Sequence, residues 1–113
     1  MIKLDTVESD FGTITVPKKK QTGVITYEQG GCCQSEADSS GTSLAPYIHA
    51  LFGLVLQSQA SNIVLIGCGG GTLATMLERA GLSTTIIDVN PASFALAKRH
   101  FLLPEKGCTT TRL

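Results

Sequence analysis

Gly67, Gly69 and Gly71 alternate with Cys68 and Gly70 in the stretch NIVLIGCGGGTLATMLERAG (62–81), and Asp88 stands downstream. An apolar run, Ile63–Ile66, enters these glycines, and a helical pattern leaves them. A chain that quits a parallel strand and turns straight into a helix needs backbone angles that glycine adopts most cheaply. Glycine also lets a ligand approach the main chain, where the first N–H groups of the helix lack intrahelical partners. A carboxylate at the tip of the next strand, about 20 residues on, can accept two hydrogen bonds from ribose hydroxyls. Either feature alone has a plainer reading, as a tight turn or a solvated acid. Held together inside one βαβ unit of about 30 residues, they predict a nucleoside-cofactor site.

The identity of the nucleoside turns on the spacing. The dinucleotide fingerprint G-x-G-x-x-G/A needs a small residue where Thr72 stands, so a nicotinamide dehydrogenase is disfavoured. The pattern present is G-x-G-x-G, the form taken in S-adenosylmethionine-dependent transferases. Many methyltransferases place an acid two positions before the first glycine, and here that position is Leu65.

Several elements must position these residues. Residues 11–16 and 23–27 alternate like strands on either side of a lysine turn, and 32–35 form a short third strand after Gly30-Gly31. This predicts an antiparallel β-meander over 1–40, closed by the polar stretch SEADSSGTS. The rest, 41–113, is expected to hold a helix and a partial Rossmann-like unit. Leu44–Gln57 is the first helix, with Ser43 as N-cap and Pro46 in the first turn. Its apolar residues cover most of its circumference, which predicts burial on more than one side. Ile63–Ile66 lacks alternation, as in a parallel strand covered on both faces. Leu73, Met76, Leu77 and Ala80 give the next helix an inner stripe, and Gly81 ends it. A strand over 84–89 leads to Asn90-Pro91, an N-cap followed by proline at the first helical position. Phe94, Ala97 and Phe101 form the inner stripe of that last helix, which Pro104 and Gly107 terminate. The fold class is α/β: an antiparallel meander followed by a truncated, methyltransferase-type parallel β/α unit.

Composition narrows the function classes. A chain of 113 residues with formal net charge zero is at most one ordinary domain and carries no electrostatic footprint for nucleic acid or an anionic membrane. Lys18, Lys19 and Lys20 are the one charge run, a length typical of a solvated turn. The longest apolar stretch, 44–56, falls short of the roughly 20 residues that cross a bilayer. Charged residues from Lys3 to Asp10 leave no apolar signal core, so a cytoplasmic protein is expected. Four cysteines and two histidines show no paired ligand spacing, so no metal is expected.

Taken in order, VLIGCGGGTLATML, IIDVNP and FALAKRHF resemble the spermidine synthase-like aminopropyltransferases. FGTITV, CCQSEAD and LAPYIHALFGLVL look like that family's N-terminal meander, glutamine-bearing turn and tyrosine-bearing helix. The similarity runs over about residues 11–103. It implies that Gly67, Gly69 and Gly71 line the cofactor loop and that Asp88 holds the ribose. It also implies that Gln34 contacts the thioether-nucleoside and that Tyr47 lies beside the active site. The ligand would be S-adenosylmethionine, its decarboxylated form or methylthioadenosine, and a polyamine would accept the aminopropyl group.

Two departures qualify that resemblance. A histidine follows the helix tyrosine in many spermidine synthases, whereas here Ile48 follows and His49 comes one position late. One position is about 100° on a helix, so His49 is expected in the core or an interface. The family also continues with a third strand, and with a fourth that brings the catalytic aspartate. Neither is found in the pattern of this sequence, so no catalytic residue is assigned and the chain matches the front half of such a protein. Two parallel strands with open edges predict self-association, making a homo-oligomer the expected assembly. The alternatives are a methyltransferase-fold protein of other specificity and a non-catalytic interaction module.

Overall fold

The computed structural model describes residues 1–105 and 108–112. The elements run β1 (Ile2–Val7), β2 (Ile14–Lys18), β3 (Ile25–Gln29), β4 (Cys32–Ala37), α1 (Pro46–Ser58), β5 (Asn62–Ile66), α2 (Thr72–Arg79), β6 (Ser83–Asp88), α3 (Pro91–His100) and β7 (Cys108–Arg112). β1 to β4 pair in chain order as an antiparallel sheet, and β5, β6 and β7 form a parallel sheet in that order. The architecture is α/β, a meander followed by a truncated Rossmann-like unit, as the sequence pattern predicts.

The meander carries one strand more than expected. β1 is an edge strand whose charges, Lys3 and Asp5, mask the inward Leu4 and Val7. Leu4 is an extra residue in the ladder, because Lys3 pairs with Pro17 and Asp5 already with Val16. Such a bulge breaks the period-2 pattern by which a strand is recognised. The strand expected over 11–16 begins only at Ile14. Phe11 lies in a turn that the Gly12 N–H closes onto the Ser9 carbonyl at 3.1 Å.

A third parallel strand is present after all. β7 pairs along its whole length with β6, from Thr84 opposite Cys108 to Asp88 opposite Arg112. Its threonines show no apolar run, which is why the sequence pattern conceals it. Gly107, expected to end the last helix, lies outside the described residues; α3 already ends at His100, with Phe101 at its cap. Asn90 caps α3 as expected, accepting the Ala92 N–H at 3.1 Å.

Three burial expectations are overturned by how the helices are laid down. Leu65 and Ile86 are register partners, and the cluster of Ala74, Ile86, Phe94, Ala97 and Leu103 packs on their side of the sheet. α2 and α3 therefore share one face. On the opposite face of β5, Val64 and Ile66 are 63% and 84% exposed, so the strand is not covered on both sides. Likewise no residue of α1 is buried, because the helix meets α2 along one side and nothing among the described residues covers the other. Within α2 the buried residues are Thr72, Ala74, Thr75 and Leu77, so the expected stripe of Leu73, Met76, Leu77 and Ala80 keeps only Leu77 fully inside.

Ser43 is not the N-cap of α1. Ala45 takes that position without a side-chain hydrogen bond, while buried Ser43 accepts the Ala45 N–H on its hydroxyl at 3.0 Å. His49 donates from Nε2 to the Ser43 carbonyl at 2.7 Å and remains exposed, so of its two expected places, core or interface, the core is excluded.

The meander and the parallel unit share a core. Ile14, Val16, Tyr27 and Ala37 of the meander cluster with Leu96 and Phe101 from the last helix. Polar ties reinforce this seam: Arg79 Nη1 donates to the Ser40 carbonyl at 2.6 Å, and Asn90 Nδ2 to Ser9 Oγ at 3.0 Å. Asp5 Oδ2 accepts from His100 Nε2 at 2.9 Å and Arg99 Nη1 at 2.7 Å. The bonds from His100 and Arg99 hold the Asp5 carboxyl below the usual carboxylate range. No helix among the described residues is long and apolar enough to cross a membrane.

Candidate functional site

The glycine loop joins β5 to α2, and Ser35 and Phe101 crowd it from beneath. Gly71 is the N-cap of α2 at φ +69° and has no side chain with which to cap it. Gly69, at φ +52°, has room for nothing more, since an added Cβ would lie 2.9 Å from Ser35 Oγ. Gly70 is closed off by the Phe101 ring at 3.0 Å and Ser35 Cβ at 3.1 Å. The loop thus rests on a floor made by β4 and the end of α3.

Main-chain donors of this loop are largely used within the chain. The Gly67 N–H goes to the Ile87 carbonyl at 2.7 Å, and the Gly71 N–H to the Cys68 carbonyl at 2.8 Å. Cys68 N–H donates to Asp88 Oδ2 at 2.6 Å, and Gly70 N–H to Ser35 Oγ at 3.0 Å. A phosphate cradle works by aiming such donors at an anion. With these four bonded internally, the donors left to a ligand are the Gly69 N–H and the first N–H groups of α2.

Asp88 closes β6 as its last residue. Its Oδ1 accepts the Asn90 N–H at 2.8 Å, so the carboxylate braces both the glycine loop and the start of α3. Each carboxylate oxygen has a second lone pair, and these remain available to two ribose hydroxyls.

Gln34 owes its position to a bulge. Across the β3–β4 ladder Tyr27 pairs with Ser35 and Glu28 with Cys33, which leaves Gln34 as the extra residue. A bulged residue is turned out of the regular alternation, a device common beside binding sites. Gln34, Tyr47, Gly67, Gly69, Gly71 and Asp88 all line one cavity of about 370 Å³. Every residue picked from the sequence for this site is therefore brought to a single crevice. Ile48 and Leu51 of α1 line it too, whereas His49 does not. Among the described residues, Asp88 is the only carboxylate on the wall, and no Lys, Arg or His lines it. No group of three or more His, Cys, Asp or Glu residues converges as a metal site among the described residues.

Sequence reasoning missed Ser35 and Tyr27, which come from a strand pair far away in the chain. Only the β3–β4 register, invisible in any local spacing, sets them opposite one another. The Tyr27 ring packs on Phe101 with centroids 6.2 Å apart. Burial pushes its phenol up to about 12, and nearby Cys68 and Asp88 add to the shift; the Ser93 side chain eases it. Even so, no partner among the described residues meets hydrogen-bonding geometry with the Tyr27 hydroxyl. An unsatisfied buried hydroxyl is destabilising, so Tyr27→Phe is expected to leave stability unchanged or raise it by up to about 1 kcal/mol. Urea denaturation of the two proteins checks this, and a clear loss in the variant would show that the hydroxyl is bonded.

Comparison with known proteins places the fold. No family model matches the chain. The structure is similar to the crystal structure of a probable spermidine synthase from Corynebacterium glutamicum, with a TM-score of 0.82 at 16% identity. That match covers 96% of this chain and 44% of the other. The sequence is similar to a mitochondrial ubiquinone biosynthesis O-methyltransferase of Schizosaccharomyces pombe, 45% identical over 39 residues. This second match covers 34% of the chain and 14% of the methyltransferase. Over the length of this chain the fold is that of the probable spermidine synthase, and the chain spans less than half the length of either protein.

Proposed function

We propose that this protein binds an adenosyl-sulfur nucleoside in the crevice between the glycine loop and Gln34, as a spermidine synthase-like protein. The observation that carries this reading is the charge of the crevice, where one carboxylate, Asp88, faces a wall without any cationic side chain among the described residues. A nucleoside whose sulfur or side-chain nitrogen is positive is favoured there, while a free carboxylate finds no counter-ion. The ligand class is thus decarboxylated S-adenosylmethionine ahead of S-adenosylmethionine itself, while methylthioadenosine, a neutral thioether, gains nothing from this charge and would be held by shape and ribose contacts alone. The motif resemblance and the fold shared with a probable spermidine synthase support the same choice.

Aminopropyl transfer requires a neutral amine oriented toward the carbon beside the sulfonium, with a carboxylate to accept its proton. In this crevice Asp88 is already bound to two main-chain N–H groups. It suits ribose binding rather than proton abstraction, so binding without turnover is the expected behaviour of residues 1–113. The test is incubation with decarboxylated S-adenosylmethionine and putrescine, followed by mass spectrometry for methylthioadenosine. Retention of the nucleoside without release of methylthioadenosine fits the proposal. Rapid release would mean that a base acts from within these residues, and absence of binding would defeat the nucleoside reading.

The bare face of β5 supports self-association as the quaternary state. Val64→Lys with Ile66→Lys is expected to convert an associated species to monomer in sedimentation velocity. A wild-type chain that is monomeric at every concentration would contradict this.

A further inference from the structure

We infer that Ser35 is the positioning residue of the nucleoside site, fixing the glycine loop by accepting the Gly70 N–H and thereby tying the loop's shape to the meander. α2 begins at a glycine and has no side-chain cap of its own. Three of the loop's donors are held by the main chain or by Asp88, and the fourth is held by Ser35, which lies 35 residues earlier in the chain. The contact leaves no room for a side chain on the loop. Ser35 Oγ stands 2.9 Å from where a Gly69 side chain would begin, and Ser35 Cβ 3.1 Å from the same point on Gly70.

The position of Ser35 is in turn dictated by the bulge. Tyr27, its cross-strand partner, is anchored in the core against Phe101, and Phe101 also backs Gly70. Gln34, the extra residue of the bulge, lines the crevice directly beside Ser35. A ligand that engages Gln34 therefore pulls on the strand that holds Gly70, so ligand binding and loop order are coupled. The ligand half of this inference rests on the nucleoside reading above; the hydrogen bond from the loop does not.

Amide hydrogen exchange at Gly70, measured by NMR, and calorimetric titration with methylthioadenosine together test it in Ser35→Ala and Ser35→Thr. The Ala variant is expected to exchange Gly70 about tenfold faster and to bind about five- to tenfold more weakly, as befits one lost hydrogen bond. Thr75, whose N–H bonds the Gly71 carbonyl at 2.9 Å, should keep its protection, and the Thr variant should restore both readouts. Unchanged exchange at Gly70 in the Ala variant overturns the inference. So does a loss of protection at Thr75, since Ser35 would then hold the fold rather than the loop. If the wild-type chain binds no nucleoside, the proposed function fails, and the Gly70 exchange rate still decides the role of Ser35.

Discussion

Asp88→Ala is expected to destabilise the fold and abolish nucleoside binding together. From the sequence alone Asp88 is a ligand contact whose loss leaves the fold intact. The structure adds two charge-assisted bonds, from Cys68 N–H at 2.6 Å and Asn90 N–H at 2.8 Å. Truncation leaves both donors without their acceptor, so a loss of about 2–4 kcal/mol is expected for this half-buried pair. Affinity for the nucleoside should fall at least about a hundredfold, since the ribose contacts vanish and the loop loses its brace. Asp88→Asn separates the two roles. Its amide oxygen still accepts one N–H while its NH₂ opposes the other, so about half the stability loss is expected, with binding still strongly impaired. Urea denaturation and calorimetric titration read both effects. An Asp88→Ala chain as stable as wild type would mean that Asp88 does not brace the loop.

Gly70→Val should be strongly damaging through crowding alone. Gly70 has ordinary backbone angles, so the reason for glycine there is space alone. Even one added carbon meets the Phe101 ring at 3.0 and 3.1 Å, and valine adds two more atoms. Overpacking against an aromatic ring that is 1% exposed leaves no easy relaxation, and a loss of about 3 kcal/mol is expected. Gly67→Ala provides the contrast. Gly67 stands at φ +96° with nothing within 4 Å, so its cost is backbone strain alone, about 1–2 kcal/mol. Equal losses in the two variants, by chemical denaturation, would show that crowding beneath the loop is not what selects Gly70.

The contrast also explains what the sequence could and could not reveal. Local patterns carried the βαβ unit: an apolar strand, glycines, a capped helix at Asn90-Pro91 and an acid at the strand tip are neighbours in the chain. Gln34 and Tyr47 were found through resemblance, and the structure brings them to the same crevice. Hidden features depend on register or on distant packing. Leu4 and Gln34 are bulged residues, and Ser35 meets Gly70 only because β4 lies across the loop. Apolar content misled in the opposite direction. Val64, Ile66 and the leucines of α1 look like core residues, yet α2 and α3 occupy the other face of the sheet. β7 escaped notice because an edge strand of threonines resembles a loop until its partner β6 is in place.

If the proposed function holds, the crevice selects an adenosyl-sulfur nucleoside over a dinucleotide and prefers cationic, carboxylate-free ligands. Calorimetric titration of the protein with decarboxylated S-adenosylmethionine, methylthioadenosine, S-adenosylmethionine and NAD tests this most directly. Tightest binding is expected for decarboxylated S-adenosylmethionine, with weaker binding of methylthioadenosine and S-adenosylmethionine and no heat with NAD. Binding of NAD in preference to the sulfur nucleosides would contradict it.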